Sequence, residues 1–261
     1  MGGGRGGENL VGMAGRLTDI ERDSRVKGLL EFVYSFRYPT REQIYRFSRV
    51  KWGIKKDEFL LNFCVRKGYL SADKITEIKP RLYQLTTLGK SYLGRLDSRF
   101  VQRGKRMFRL DNYYHDSLVL DVYLKLLGVF KEGTWLSDWR IRAMIRREHG
   151  LKASHRAPDG IFTQGEQNLA VEVERAEKSQ DRISAVVGKY KREFEKGYIC
   201  GVVLVTETKL KMYRLKKKLD KVALKWDEKR VIYAPWENLE KNKGEHLGKE
   251  ISLGEFFKAF R

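Results

Sequence analysis

The residues best suited to chemistry lie in Leu169-Ala170-Val171-Glu172-Val173-Glu174, where apolar and acidic side chains alternate. In an extended strand alternate side chains share a face, so Leu169, Val171 and Val173 point one way and Ala170, Glu172 and Glu174 the other. Two residues at roughly 3.3 Å each put the carboxylates about 7 Å apart along the backbone. Like charges held that close in an interior are costly unless a cation or basic residue compensates. Hard oxygen donors of this kind suit Mg²⁺ or Mn²⁺. An edge strand with a solvated acidic face would carry the same letters, so the segment alone leaves both readings open.

Thirteen residues before Glu172 stands Pro158-Asp159-Gly160, just ahead of a short strand candidate at Gly160-Ile161-Phe162. Alone, Pro-Asp-Gly is a turn signal. Paired with the later acidic strand, it matches the acid–hairpin–acid layout of PD-(D/E)XK nucleases, in which carboxylates from two adjacent strands meet at one metal. The surrounding pattern supports that placement. A helix is expected over Asn112 to Leu127, ending at Gly128, and a strand around Thr134-Trp135-Leu136. A second helix is expected over Ser179 to Glu195, an apolar strand over Ile199 to Val205, a basic helix over Leu210 to Leu224 and a strand over Arg230 to Ala234. Strand, helix and strand with no hairpin between them imply a parallel crossover, so this half reads as α/β with a mixed central sheet.

The preceding half has a different grammar. Thr18-Asp19-Ile20-Glu21 and Thr40-Arg41-Glu42-Gln43 are capping boxes that open two helices, the second ending near Phe47. A third helical segment, Lys55 to Lys67, closes at Gly68. Extended stretches over Tyr69 to Ile75 and Arg81 to Thr86 flank a polar turn with Glu77, Lys79 and Pro80. Three helices followed by a hairpin is the winged-helix order. Residues 18–110 carry 22 basic and 10 acidic side chains, about +12, which favours duplex DNA over a protein partner. Lys55, Lys56, Arg66 and Lys67 on the third helix, with Lys79 and Arg81 of the hairpin, are the expected DNA contacts.

The whole chain agrees with a polyanion partner. Lys and Arg number 54 against 34 acids in 261 residues, a formal charge of +20, and each phosphate neutralised releases counterions. With 41% hydrophobic and 12% aromatic residues the chain can bury cores rather than remain disordered. No run of about 18 apolar residues occurs, so no membrane-spanning helix is expected. Met1 to Gly15 is glycine-rich, has no apolar centre and does not read as a signal peptide, so the expected location is cytoplasmic. Cys64 and Cys200 lie far apart in apolar stretches and read as reduced, buried thiols rather than zinc ligands.

Several stretches together resemble the replication-relaxation proteins and, within them, MobC-type plasmid mobilisation relaxases. They are Tyr114-His115 opening a helix that reaches Asp121-Val122, Trp135 to Arg140, His155 to Gly160, and Val171-Glu172-Val173-Glu174-Arg175 with Lys178. The resemblance covers most of residues 18–205 and fades beyond about 206. It implies a restriction-endonuclease-like fold and metal-dependent nicking at a transfer origin. Asp159, Glu172 and Glu174 would then be the Mg²⁺ or Mn²⁺ ligands. Glu174 stands where a catalytic lysine is usual, and Lys178, or Lys189 further along, would supply that charge to the phosphate. His115 would serve as base or ligand; it and His155 are equally compatible with structural roles. Tyr113 and Tyr114 are candidate nucleophiles or ordinary packing residues.

The expected organisation is therefore a Gly-rich leader (1–17), a winged-helix DNA-binding domain (18–95), a basic linker (96–110) and a restriction-endonuclease-like domain (111–261). The expected activity is relaxase-like nicking of a plasmid or mobile-element origin of transfer, with double-stranded DNA and accessory mobilisation proteins as partners. The rivals are a catalytically silent DNA-binding regulator of replication or transcription, and an ordinary restriction or repair endonuclease.

Overall fold

The computed structural model describes residues 18–75, 77–97, 100, 108–149, 157–176, 179–222 and 227–259. The chain opens with three helices, α1 (Asp19–Phe36), α2 (Arg41–Trp52) and α3 (Glu58–Arg66). Both expected capping boxes form, Thr18 with Glu21 and Thr40 with Gln43. Helix α2 runs more than a turn past Phe47. Trp52 packs edge-on to that ring at 5.2 Å, and Gly53, at φ 72°, provides the left-handed stop. Helix α3 starts later than expected: the Asp57 carboxylate accepts the Leu60 N–H at 3.1 Å and caps it. Lys55 and Lys56 consequently lie in the turn before the helix and not on it, while Lys67 is its C-cap. Strands β1 (Leu70–Asp73) and β2 (Leu82–Leu85) form the antiparallel hairpin, Thr40 bridges to Leu82, and α4 (Thr87–Leu96) follows.

Helix α5 (Leu110–Phe130) joins this module to the sheet. On one flank Gln43 Nε2 donates to Ser117 Oγ at 3.0 Å, and the Arg46 guanidinium meets Asp121 at 2.6 Å. Phe36 stacks on Tyr123 at 5.0 Å, so one apolar core runs from α1 and α2 through α5 to the sheet. The helix passes through Gly128, its expected end, because Phe130 packs against Phe257 at 4.4 Å and Phe162 at 5.7 Å. Most of the expected basic linker falls outside the described residues. Phe100 of that stretch is buried against Tyr34 at 5.1 Å.

The remaining elements are β3 (Thr134–Ser137), α6 (Asp138–His149), β4 (Gly160–Gln164), β5 (Gln167–Glu174), α7 (Gln180–Glu195), β6 (Gly201–Thr206), α8 (Lys209–Leu219), β7 (Val231–Pro235), α9 (Trp236–Leu239), β8 (Lys243–His246), β9 (Lys249–Ser252) and α10 (Leu253–Lys258). Strands β3 to β9 form one sheet in chain order. Pairing is antiparallel from β3 to β5, parallel from β5 to β7 and antiparallel again to β9, so the fold is α/β with a mixed sheet. The parallel crossovers are those expected from the uninterrupted strand–helix–strand order. The terminal β8–β9 hairpin and α10 add to that reading. Strand β5 sits inside the sheet, and its two faces divide as alternation predicts. Leu169, Val171 and Val173 join the core beneath α5, and Ala170 joins Ile183, Val187 and Tyr190 of α7. Among the described residues no helix is long and apolar enough to cross a membrane.

Candidate active site

A cleft of about 500 Å³ opens where the ends of several elements meet. Its walls are the end of α1, the first turns of α5, the β3–α6 junction, the residues before β4 and the end of β5. Asp159 reaches it from the approach to β4 and Glu174 from the last position of β5. The glycine of Pro158-Asp159-Gly160 has a reason other than a turn. Gly160 already belongs to β4, and a Cβ there would lie 1.9 Å from the Trp135 ring. The missing side chain lets Trp135 close over the strand beside Asp159.

Asp159 is held from two sides. Its Oδ2 accepts the Val173 N–H at 2.8 Å, and His115 Nε2 lies 3.1 Å from its Oδ1. His115 reaches it from the second turn of α5. Burial by itself lowers the His115 pKa. The hydrogen bond and negative charge of Asp159, with Asp116 nearby, outweigh burial and hold it above the ordinary histidine value. The protonated form is therefore stabilised relative to a free histidine, and in it Nε2 donates to the carboxylate.

The two glutamates of β5 have different surroundings. Glu172 is 1% exposed, beneath α7, and its Oε1 accepts the Tyr190 hydroxyl at 2.7 Å. The Lys189 ammonium lies 4.6 Å from the Tyr190 ring centre, which brings the lysine considered as an alternative charge to the Glu172 side. Such burial removes the solvated-face alternative for Glu172. Glu174 lines the cleft and also a smaller recess between α7 and α8. Asp159 and Glu174 thus share the cleft, while Glu172 is engaged on the α7 face. Among the described residues no three His, Cys, Asp or Glu side chains form a ready-made metal group. Lys178 and His155 lie outside the described residues.

Cations that the sequence reading did not assign complete the cleft. Arg37, the C-cap of α1, comes within 3.7 Å of Asp116 and 4.0 Å of Asp138. Arg142 lies 3.5 Å from Asp138, and Arg182 reaches the rim from α7. Arg175 Nε donates to Glu207 at 2.9 Å, and its guanidinium covers the Tyr114 ring at 5.7 Å. Bonds from Lys211 and then Arg175 hold the Glu207 carboxyl below its usual range. Arg175 sits directly after the acidic strand, a position that marks it in the sequence. Arg37 has no such signal, because its acids lie 79 and 101 residues further along. Of the tyrosines, Tyr113 is buried with Ile78 and Leu82, and burial pushes its phenol up, whereas Tyr114 stays half-exposed beneath the Arg175 guanidinium.

Away from the cleft, Lys55, Lys56, Arg66, Lys67, Lys79 and Arg81 are all exposed around α3 and the hairpin. Cys64 is a fully buried thiol pushed up to about 12 by burial, and Cys200 is a free thiol at intermediate depth. No protein-family model and no curated protein matches the chain.

Proposed function

We propose that this chain is a DNA endonuclease that cuts a phosphodiester with Mg²⁺ or Mn²⁺, positioned by a winged-helix module over residues 18–95. The supporting observation is that Asp159, just before β4, and Glu174, at the end of the antiparallel neighbour β5, line one cleft with Arg37, Arg142, Arg175 and Arg182. Mg²⁺ is commonly held by one or two carboxylates, with water and substrate phosphate completing its shell, so these two acids suit it without a third protein ligand. Glu172 would support the same site from within the strand. When bound, the cation polarises the phosphate and lowers the pKa of its water. His115 and the Val173 N–H fix both oxygens of Asp159, and the arginines hold the phosphate. The finer reading is relaxase-like nicking at a plasmid or mobile-element origin of transfer.

A silent DNA-binding regulator is the second reading. The bonds of Tyr190 to Glu172 and His115 to Asp159 favour it, since both acids have protein partners without a cation. Supercoiled plasmid carrying the protein's own origin, incubated with and without Mn²⁺, separates the two. The endonuclease reading expects open-circular product and a melting temperature raised by Mn²⁺. Tight duplex binding with neither effect would favour the regulator.

A further inference from the structure

Helix α8 reads Lys-Leu-Lys-Met-Tyr-Arg-Leu-Lys-Lys-Lys-Leu, six cations and no acid in eleven residues. Several of the cations are engaged within the protein: Lys209 lies 3.9 Å from Glu237, Lys211 pairs with Glu207, and Lys216 reaches Glu245 at 2.5 Å while lying over the Tyr233 ring. Met212 and Leu219 anchor the helix in the core beneath. The outward face, at helical spacing, is Leu210, Tyr213, Arg214 and Lys217. Tyr213 is 64% exposed, which packing does not explain. The adjoining flank, Lys211, Arg214 and Lys218, lines the small recess that also contains Glu174 and Arg175. Since Glu174 and Arg175 line the main cleft as well, α8 continues it.

We propose that α8 is a second nucleic-acid surface that takes single-stranded DNA leaving the cleft, with phosphates on Arg214, Lys217 and Lys218 and a base stacked on Tyr213. An aromatic ring set among cations suits an unpaired base, because duplex DNA keeps its base faces stacked and out of reach. The direction of the strand rests on the endonuclease reading; binding at α8 does not. The test is fluorescence anisotropy of the full chain with labelled oligothymidylate, which base-specific readout would not favour. Tyr213→Ala is expected to weaken binding about ten-fold or more, and Arg214→Glu with Lys217→Glu to weaken it further and flatten the salt dependence. Tyr213→Phe keeps the ring and is expected to keep the affinity. Lys55, Lys56 and Lys67 changed to Glu should weaken duplex binding while sparing oligothymidylate. Unchanged oligothymidylate affinity in the α8 variants would overturn the proposal, as would a loss in Tyr213→Phe equal to that in Tyr213→Ala. A parent that binds oligothymidylate through Tyr213 yet never nicks would leave the α8 assignment standing and remove only the cutting reaction.

Discussion

Around α3 and the β1–β2 hairpin, Lys55, Lys56, Arg66, Lys67, Lys79 and Arg81 stand exposed, whereas Arg37, Arg142 and Arg175 at the cleft close on carboxylates. The same residue types therefore meet two electrostatic environments. Exposed cations act on a polyanion through counterion release, which reads charge and hardly reads geometry. Cations paired in a cleft have fixed positions, and they allow several acids to stand close together. Asp111, Asp116, Asp138, Asp159 and Glu174 all line a space of about 500 Å³, an arrangement that mutual repulsion would oppose without the arginines. On the proposed reading, duplex binding would belong with the first region and chemistry at one phosphodiester with the second.

The sharpest test of that division is loss of cutting without loss of binding. Asp159→Asn keeps an oxygen for the Val173 N–H but removes the anion, and Glu174→Gln does the same at the end of β5. Each is expected to lower nicking on the order of 10²–10³-fold or more while duplex affinity stays within about two-fold, read by plasmid relaxation and anisotropy. Duplex affinity that falls with nicking would show that the two regions are not separable. Next in size is the opposite experiment. Changing Lys55, Lys56 and Lys67 to Glu should weaken duplex binding on the order of 10²-fold at low salt and lower the logarithmic salt slope by about 3. A parent affinity that is flat between 50 and 200 mM salt would break the assignment of this surface.

Two smaller effects probe how the cleft is held. Gly160→Ala forces a methyl group into the Trp135 ring and should cost about 1–3 kcal/mol, lowering the melting temperature by several degrees. An unchanged melting temperature would mean that Trp135 moves away without penalty. His115 gives the smallest effect, and its sign follows from the raised pKa. The protonated form is favoured in the folded chain, so its stabilisation is complete below about pH 6.5 and fades as pH rises through the higher folded value. His115→Gln should remove that part of the pH dependence, measured as chemical unfolding at pH 5.5 and pH 8.5. Parallel stability curves for parent and variant would show that the Asp159 bond contributes nothing.

Local chemistry made much of the molecule legible. The Thr18 and Thr40 capping boxes open α1 and α2, because a hydroxyl and an acid or amide three residues apart satisfy free N–H groups wherever they occur. The alternation from Leu169 to Glu174 divides the two faces of β5, because the extended backbone has a period of two. The end of α5 was less legible because a distant ring, Phe257, decided it, and the start of α3 turned on which nearby side chain, Asp57, caps the helix.

The sequence by itself determined the basic character, the helical module with its hairpin, the parallel crossovers and the pairing of Glu172 with Glu174 on one strand face. Only the tertiary structure decided what those carboxylates touch. Tyr190 bonds Glu172 because α7 crosses back over β5, and Glu174 enters the cleft because it stands at the strand's end. His115 meets Asp159 because α5 lies across the start of β4, and Arg37 meets Asp116 and Asp138 because α1 ends against both. Periodicity and capping act over a few residues and can be read along the chain, whereas these contacts depend on how packed elements cross, which is set by burial of their apolar faces.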